Sequence, residues 1–523
     1  MTLINPRVTR VVGNPGTGKT TTLVERVKEE LNDTKNHPFV SVVAFTRAAA
    51  TEVNDRLRGT KLGTRGRTAK TIHAACRRAI YHSKYDKRAP SPKVVGDRDS
   101  WDSFRDYCGN LSWYYGSHAI QKSYGDRYEN PVSGDTLHAK SEYYRNTLTP
   151  VTQWDDTVLK WFVQYDRWKK ATGYSDFTDW LVRCSTITPM PAVESLYIDE
   201  AQDLTPLQWK VIKKCPARNL IIVGDANQCL YEWSGASPQM FSQYDAYEEI
   251  VLPQSYRVPK SVHEVANRIL MNMDSPNIKP YSPTDLEGDV DRIDWMPRDG
   301  YPKRYIDSTR TTMILTHTHH MLKDVTDDLM RLRIPFHNPY KSENYKWNPI
   351  SEDNESSMGG FLSDKNTIGS NAQSYLRWLP PDSLKEDPKK ISRRLGARKG
   401  TIGGSIGENI DRFLTDDVLR RVKSKDLSVL LYNTKRRGFD RWSYLVDMEA
   451  RGVDWRNPKI IVGTIHSVKG GEADDVILSP SISTAAAVQT DWDPVYRMMY
   501  VGATRARSRL MIANSNSKYS VKF

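Results

Sequence analysis

Val11-Val12-Gly13-Asn14-Pro15-Gly16-Thr17-Gly18-Lys19-Thr20, close to the start of this 523-residue chain, decides the fold. The run fits G-x-x-x-x-G-K-[ST]. Its glycines let successive backbone N–H groups turn inward on an anion, its lysine reaches terminal phosphates, and its hydroxyl suits Mg²⁺. Gly13, Asn14, Pro15, Gly16, Thr17, Gly18, Lys19 and Thr20 are therefore expected to cradle a nucleoside triphosphate. The flanks agree. Val8 to Val12 reads as a short buried strand, and Thr21 to Leu31 carries apolar residues at helical spacing, so the loop opens a helix whose dipole favours anions.

Working outward, short apolar runs recur between amphipathic stretches: Val40 to Phe45, Ser195 to Ile198, Leu220 to Val223, Thr312 to Leu315, Val429 to Tyr432, Ile460 to Val462 and Leu510 to Ala513. Strands alternating with helical patterns predict an α/β protein with mostly parallel sheets. Two regions break the rhythm. Between Pro90 and Gly173 the pattern is aromatic and mainly helical, and Trp154, Val158, Trp161, Phe162, Tyr165 and Trp168 share one face, read as helix-packing core rather than a platform for bases. Lys341 to Asp454 opens on a polar stretch and holds a Gly-rich, basic-flanked loop, GARKGTIGGSIGEN, which reads as an insertion.

Composition narrows the partners. Lys and Arg number 76 against 63 Asp and Glu, giving a net charge of +13 and a pI near 9.2, a balance that favours polyanions and nucleic acid first. Five scattered cysteines without a C-x-x-C pair signal neither a disulfide framework nor a zinc or iron–sulfur module, so a reducing cytoplasm is expected. No apolar stretch has membrane-spanning length, and no signal peptide or membrane partner is expected. His317, His319 and His320 cluster after a strand, but without a recognised metal-ligand spacing they read as a strand-end loop.

The chemistry is carried by two further strand ends. Ser195-Leu196-Tyr197-Ile198-Asp199-Glu200-Ala201-Gln202-Asp203 is an apolar strand closing on adjacent carboxylates, the pair nucleotide hydrolysis needs: Asp199 for the metal, with Thr20, and Glu200 for the attacking water. In Ile221-Ile222-Val223-Gly224-Asp225-Ala226-Asn227-Gln228-Cys229-Leu230-Tyr231-Glu232-Trp233, Gln228 is placed to sense a γ-phosphate and Trp233 to stack on a base, so one short segment would couple two ligands.

With these runs in place the chain resembles the UvrD/Rep/PcrA-like superfamily 1A helicases, motif by motif and in the family's order. Ala44 to Val53 resembles motif Ia, Thr71 to Cys76 motif Ib, Gln254-Ser255-Tyr256-Arg257 motif IV, Thr464 to Glu472 motif V, and Tyr500 to Ala506 motif VI. The resemblance implies two RecA-like P-loop lobes, each interrupted by a mainly helical insertion, with ATP and Mg²⁺ as cofactors. It implies that Tyr256 stacks on adenine, that Glu472 touches the ribose, and that Arg257 and Arg505 reach the γ-phosphate from the second lobe. Phe45, Thr46, His73, Tyr231, Trp233, Thr464 and His466 match positions that line the path of single-stranded DNA. Departures are visible too. No glutamine precedes Gly13, so adenine selectivity is either relaxed or rests on Tyr256; Ser234 stands where the family usually has arginine, Arg47-Ala48 where it usually has Asn-Lys, and Gly471 and Ala473 where bulky residues are common.

The expected division is residues 1–90 with 173–248 as the first lobe, 91–172 as its insertion, 249–340 with 455–523 as the second lobe, and 341–454 as a reduced basic insertion. The expected activity is that of an ATP-dependent helicase moving three-prime to five-prime on single-stranded DNA and opening single/double-strand junctions, with RNA the less favoured polymer. Two alternatives stay open at this level: a translocase or remodeller that does not unwind processively, and a nucleotide-switched DNA-binding module. Glu200, Gln228, Arg257 and Arg505 together argue against a pure switch, which does not need a full hydrolytic set.

Overall fold

The computed structural model describes residues 6–33, 39–58, 69–81, 93–96, 98–109, 134–340, 384–386, 414–423, 444, 448, 451–454, 457–515 and 517–522. They divide into two compact units, the first made of residues 1–256 and 273–283 and the second of 257–272 and 284–523.

In the first unit the strands are β1 (Arg7–Gly13), β2 (Val40–Ala44), β3 (Ala69–Thr71), β4 (Lys93–Val94), β5 (Tyr174–Ser175), β6 (Val193–Ile198), β7 (Ala217–Gly224) and β8 (Glu248–Leu252). Its helices are α1 (Lys19–Asp33), α2 (Arg47–Arg56), α3 (Ile72–Tyr81), α4 (Arg98–Cys108), α5 (Gly134–Asn146), α6 (Asp156–Thr172), α7 (Phe177–Thr186), α8 (Pro206–Lys214) and α9 (Pro238–Ser242). Six strands form one sheet in the order β3-β2-β6-β7-β1-β8, every pairing parallel. A parallel sheet needs crossovers and hides both faces, which explains why its strands are apolar on both sides.

The period-2 alternation shows how the two faces are filled. Val8, Val12, Leu196, Ile198, Leu220 and Ile222 enter one core with Cys76 of α3, Leu181 of α7 and Trp209 of α8. Val11, Tyr197, Ile221 and Val223 enter the other, with Leu23 and Val27 of α1 and Val53 of α2. The loop helix α1 is also tied to β6 by polar groups: Ser195 Oγ and Tyr197 Oη donate to the two carboxylate oxygens of Glu30, at 2.5 and 2.8 Å.

The aromatic stripe is core. Trp154, Val158, Trp161, Tyr165 and Trp168 are buried with Phe104 of α4 and Leu137 of α5, and Trp161 and Tyr165 stack at 4.9 Å. Asp155 caps the start of α6 by accepting from the backbone N–H groups of Thr157 and Val158, and Gly173, at φ 76°, ends it in the left-handed region that a Cβ disfavours. Buried Lys169 of α6 and Arg145 of α5 both meet Asp176 at the head of α7, at 2.5 and 2.9 Å, fastening this helical bundle to the sheet domain.

The second unit contains α10 (Lys260–Met271), β9 (Asp289–Ile293), β10 (Thr312–Thr316), α11 (Lys323–Arg331), β11 (Phe336–His337), α12 (Asp416–Lys423), β12 (Ile460–Thr464), β13 (Ala473–Leu478), α13 (Thr484–Ala487), α14 (Asp493–Ala503) and β14 (Ala506–Ala513). Its sheet runs β11-β12-β10-β13-β14-β9, again parallel throughout. Val325 and Leu329 of α11 pack on Ile314, Val462 and Ile477. Two all-parallel six-stranded sheets with covering helices are the α/β architecture expected.

One border differs from the sequence reading. Residues 249–256 do not open the second unit, because β8 pairs with the loop strand β1 from Thr9↔Glu248 to Gly13↔Leu252 and sends Ile250 and Leu252 against the first unit's core. The division falls after Tyr256, and residues 273–283 return to the first unit, where Lys279 meets Glu249 at 2.6 Å and Ser282 pairs with Gln254. The run Val429 to Tyr432, the Gly-rich loop and most of 341–454 lie outside the described residues.

Candidate nucleotide site and nucleic-acid face

Backbone geometry explains the loop's glycines. Gly16 and Gly18 sit at φ 74° and 80°, and a Cβ on Gly13 would fall 2.4 Å from Lys19 Cγ. Lys19 begins α1 and its Nζ donates to the Gly13 carbonyl at 2.8 Å, while Thr17 Oγ1 donates to the Asn14 carbonyl at 2.9 Å. The outer side of the loop is held from later in the chain. Ser255 Oγ donates to the Pro15 carbonyl at 2.8 Å, the Tyr256 N–H to the Gly16 carbonyl at 2.9 Å, and Asn14 Nδ2 to the Lys279 carbonyl at 3.1 Å. The Tyr256 side chain is 75% exposed beside this loop, so its ring face is open to a base.

β6 delivers the carboxylates. Thr20 Oγ1 donates to Asp199 Oδ2 at 3.2 Å. Burial pushes the Asp199 carboxyl up to about 7, reinforced by the Glu200 charge and opposed by Lys19 and the Thr20 hydroxyl. A buried carboxylate beside a hydroxyl, both hard oxygen donors, is a set that fits a Mg²⁺ ion, whose charge would relieve the strain of ionising Asp199 there. Glu200 adopts φ 55°, ψ 43°, one of three non-glycine residues in the left-handed region among those described. Such a conformation costs of order 1–3 kcal/mol and is characteristic of functional turns.

The third strand end lies beside the second. Gln228 is buried and its Nε2 donates to Asp225 Oδ2 at 2.6 Å. Asp225 Oδ1 accepts the Asn227 N–H at 3.0 Å, and burial raises the Asp225 carboxyl. Asn227 in turn exchanges hydrogen bonds with the backbone of Asn277, so this turn, like the phosphate loop, is tied to residues 273–283. Gln202, Asp225 and Asn227 have no role legible in the sequence, where the one local signal is the Asp-x-Asn spacing of a side-chain-capped turn.

Of the residues expected on the strand path, three in this unit come together. Phe45 lies 4.8 Å from Tyr231, and Tyr231 6.4 Å from Trp233, whose ring is 72% exposed. Thr46, next to them, spends its hydroxyl as the cap of α2, accepting from the Ala49 N–H at 3.1 Å. His73, in the first turn of α3, sits edge-on to Phe177 at 5.8 Å rather than in that aromatic run. Its burial lowers the imidazole to about 4 against the opposing charge of Asp176, so the ring is neutral at neutral pH.

In the second unit, Glu472 accepts from Arg257 Nε at 2.6 Å and pairs with Arg507 at 3.2 Å. Burial acts to raise the Glu472 carboxyl, but Arg257 above all, with Arg507 and Arg505, outweighs it and holds it low. Arg505 is almost wholly buried, donating through Nε to the Val501 carbonyl at 2.8 Å and through Nη1 to the Gly471 carbonyl at 3.1 Å. Thr464 caps the turn after β12, accepting from the Ser467 N–H, and His466 lies within that turn. His317 belongs to the architecture: its Nδ1 accepts the Ser483 N–H at 2.9 Å.

Residues 4–247 match the UvrD/REP helicase N-terminal domain and residues 459–513 the UvrD-like helicase C-terminal domain, together more than half of the chain. The chain belongs to the UvrD-like helicase family. Relatives include the putative ATP-dependent DNA helicase YjcD of Bacillus subtilis, 24% identical over 49% of this chain and 35% of that one. The ATP-dependent DNA helicase UvrD2 of Mycobacterium tuberculosis is 28% identical over 50% of this chain and 41% of its own. DNA helicase II of Salmonella typhimurium is 26% identical over 50% and 38%. The match thus spans well under half the length of these relatives.

Two departures of this UvrD-like chain have structural reasons. A Cβ on Gly471 would fall 2.4 Å from Tyr340 Cζ, so the tyrosine ring fills the space a bulkier residue would take. Ser234, the second departure, donates its hydroxyl to the Tyr231 carbonyl at 2.8 Å and closes the turn that presents Trp233. No described helix of this UvrD-like protein is long and apolar enough to cross a membrane.

Proposed function

We propose that this UvrD-like chain is an ATP-dependent DNA helicase that moves three-prime to five-prime on single-stranded DNA and opens the duplex at junctions. The observation that carries the reading is the convergence, at the carboxyl ends of β1 and β6, of the phosphate loop, the Thr20–Asp199 pair and Glu200. Lys19 and the loop's backbone N–H groups bind and orient the phosphates. Glu200, turned out of the strand by its left-handed backbone, orients and deprotonates the attacking water, and Gln228 faces the γ-phosphate. A Mg²⁺ held by Thr20 and Asp199 would supply charge neutralisation at the phosphate oxygens. Arg257 and Arg505 bring positive charge to the γ-phosphate, Glu472 contacts the ribose, and Tyr256 stacks on the base. Phe45, Tyr231 and Trp233 offer sequence-tolerant stacking to successive bases, with Thr46, His73, Thr464 and His466 along the same strand. The basic balance of the chain favours the polyanion, and the exposed Trp233 ring favours a single strand over a closed duplex.

Steady-state ATP hydrolysis with single-stranded DNA, with RNA and with no polymer tests this reading, alongside displacement of a strand from a three-prime-tailed duplex. DNA-stimulated turnover, lost in Glu200→Gln with ATP binding retained, and strand displacement are expected. Turnover at the wild-type rate in Glu200→Gln would overturn the role of that residue. Stimulated hydrolysis without displacement would leave a translocase or remodeller.

A further inference from the structure

Gln202 is completely buried, and its amide has one arrangement that satisfies both of its ends. The Asp225 backbone N–H, a donor only, lies 3.1 Å from Oε1, which turns Nε2 toward Glu200 Oε2 at 2.5 Å. With the amide reversed, two donors would face each other at one end and two acceptors at the other. A Cβ on Gly224 would fall 2.4 Å from Gln202 Oε1, so the glycine ending β7 makes room for this amide. The chain of contacts continues: Asp225 Oδ2 accepts from Gln228 Nε2 at 2.6 Å. Gln228 begins the short segment that leads to Tyr231 and Trp233.

We propose that Gln202 is a positioning residue that holds the Glu200 carboxylate in its working orientation and links it, through Asp225, to Gln228. The inference rests on the reading of Glu200 as the group that orients water. The Glu200 carboxylate is carried on a left-handed turn, and the buried Gln202 amide fixes one of its oxygens. The same amide registers any displacement of the turn at Asp225, so a shift of the Gln228 segment on DNA binding is passed to the carboxylate through three hydrogen bonds.

Gln202→Glu keeps size, shape and the acceptor for the Asp225 N–H while replacing the amide donor by a carboxyl that either repels Glu200 or shares a proton with it. DNA-stimulated kcat is expected to fall by about 100-fold, the scale of a misplaced reacting group, with KM for ATP near wild type. Gln202→Met, which removes the donor without adding charge, is expected to lower kcat in the same way. In single-turnover measurements on the Glu200→Gln background, adding Gln202→Glu is expected to cost no more than about twofold, since the group it positions is already gone. Wild-type kcat in Gln202→Glu and Gln202→Met, or a full further loss on the Glu200→Gln background, would overturn the inference. If Glu200→Gln itself turns over normally, the reading of Glu200 fails first, and the two failures are thereby distinguished.

Discussion

Thr20 and Asp199, 179 residues apart in sequence, meet at 3.2 Å where the first turn of α1 faces the end of β6. The carboxyl is driven up to about 7 mainly by burial and then by Glu200, so a divalent cation there would stabilise a charge the protein alone holds poorly. Asp199→Asn is expected to raise the Mg²⁺ concentration needed for half-maximal hydrolysis by at least about 10–100-fold, the range seen when even an indirect metal partner is lost. A Mg²⁺ titration of ATPase rate checks it, and an unchanged midpoint would remove Asp199 from the metal site.

Trp233 stands 72% exposed at the end of the Phe45–Tyr231–Trp233 run. Trp233→Ala should weaken single-strand binding by roughly 1–3 kcal/mol while leaving ATP binding intact. The slope of log affinity against log salt should stay the same, because tryptophan displaces no counterions. Fluorescence anisotropy across a salt series reads both quantities; wild-type affinity in the variant would take the ring off the strand path.

Tyr256 is anchored by its own backbone to Gly16, which keeps its side chain beside the phosphate loop. Tyr256→Ala is expected to raise KM for ATP about 2- to 12-fold, the worth of one stacked aromatic pair, and KM for GTP by a similar factor, with kcat nearly unchanged. Parallel kinetics with the two nucleotides decide it. Strict preference for ATP over GTP surviving in Tyr256→Ala would show that another element reads the base.

Gly471 and Tyr340 compete for one space. Gly471→Ala should destabilise by about 1–3 kcal/mol, as overpacking does, and be close to neutral when combined with Tyr340→Ala. Thermal denaturation of the two singles and the double gives the coupling. Additive losses would mean that the backbone, rather than the tyrosine ring, resists the methyl group.

His73 is held neutral, its folded value near 4 lying below the unfolded value of 6.5. The unfolded chain therefore binds the extra proton between those values. Stability associated with this residue is complete above pH 6.5 and is lost as pH falls toward 4, by at most about 1.4 kcal/mol per unit. Melting temperatures followed from pH 7.5 to 4.5 should fall less steeply for His73→Gln than for wild type, and parallel curves would show that the ring ionises freely.

What could be read from the sequence is what the chain encodes locally. The phosphate loop is a contiguous strand–turn–helix whose glycines, lysine and hydroxyl occupy fixed offsets, so Gly13 to Thr20 need no distant partner to be recognised. The aromatic stripe of α6 follows helical periodicity and is core for that reason. Apolar runs marked β2, β6, β7, β10, β12 and β14, whereas β9 (DVDRI) and β13 (ADDVIL) carry acidic residues that hide their strand character. Pairing is another matter. A parallel strand's neighbour is never adjacent in sequence, so only the folded sheet shows that β8 lies beside β1 and moves the border to Tyr256. The same holds for the site's fine structure. Asp199, Glu200 and Gln228 were legible as residue types at strand ends, but the Gln202 amide joining Glu200 to Asp225 and the burial that raises Asp199 arise only when β1, β6 and β7 are brought side by side, because hydrogen bonding and desolvation depend on distances that the order of residues does not contain.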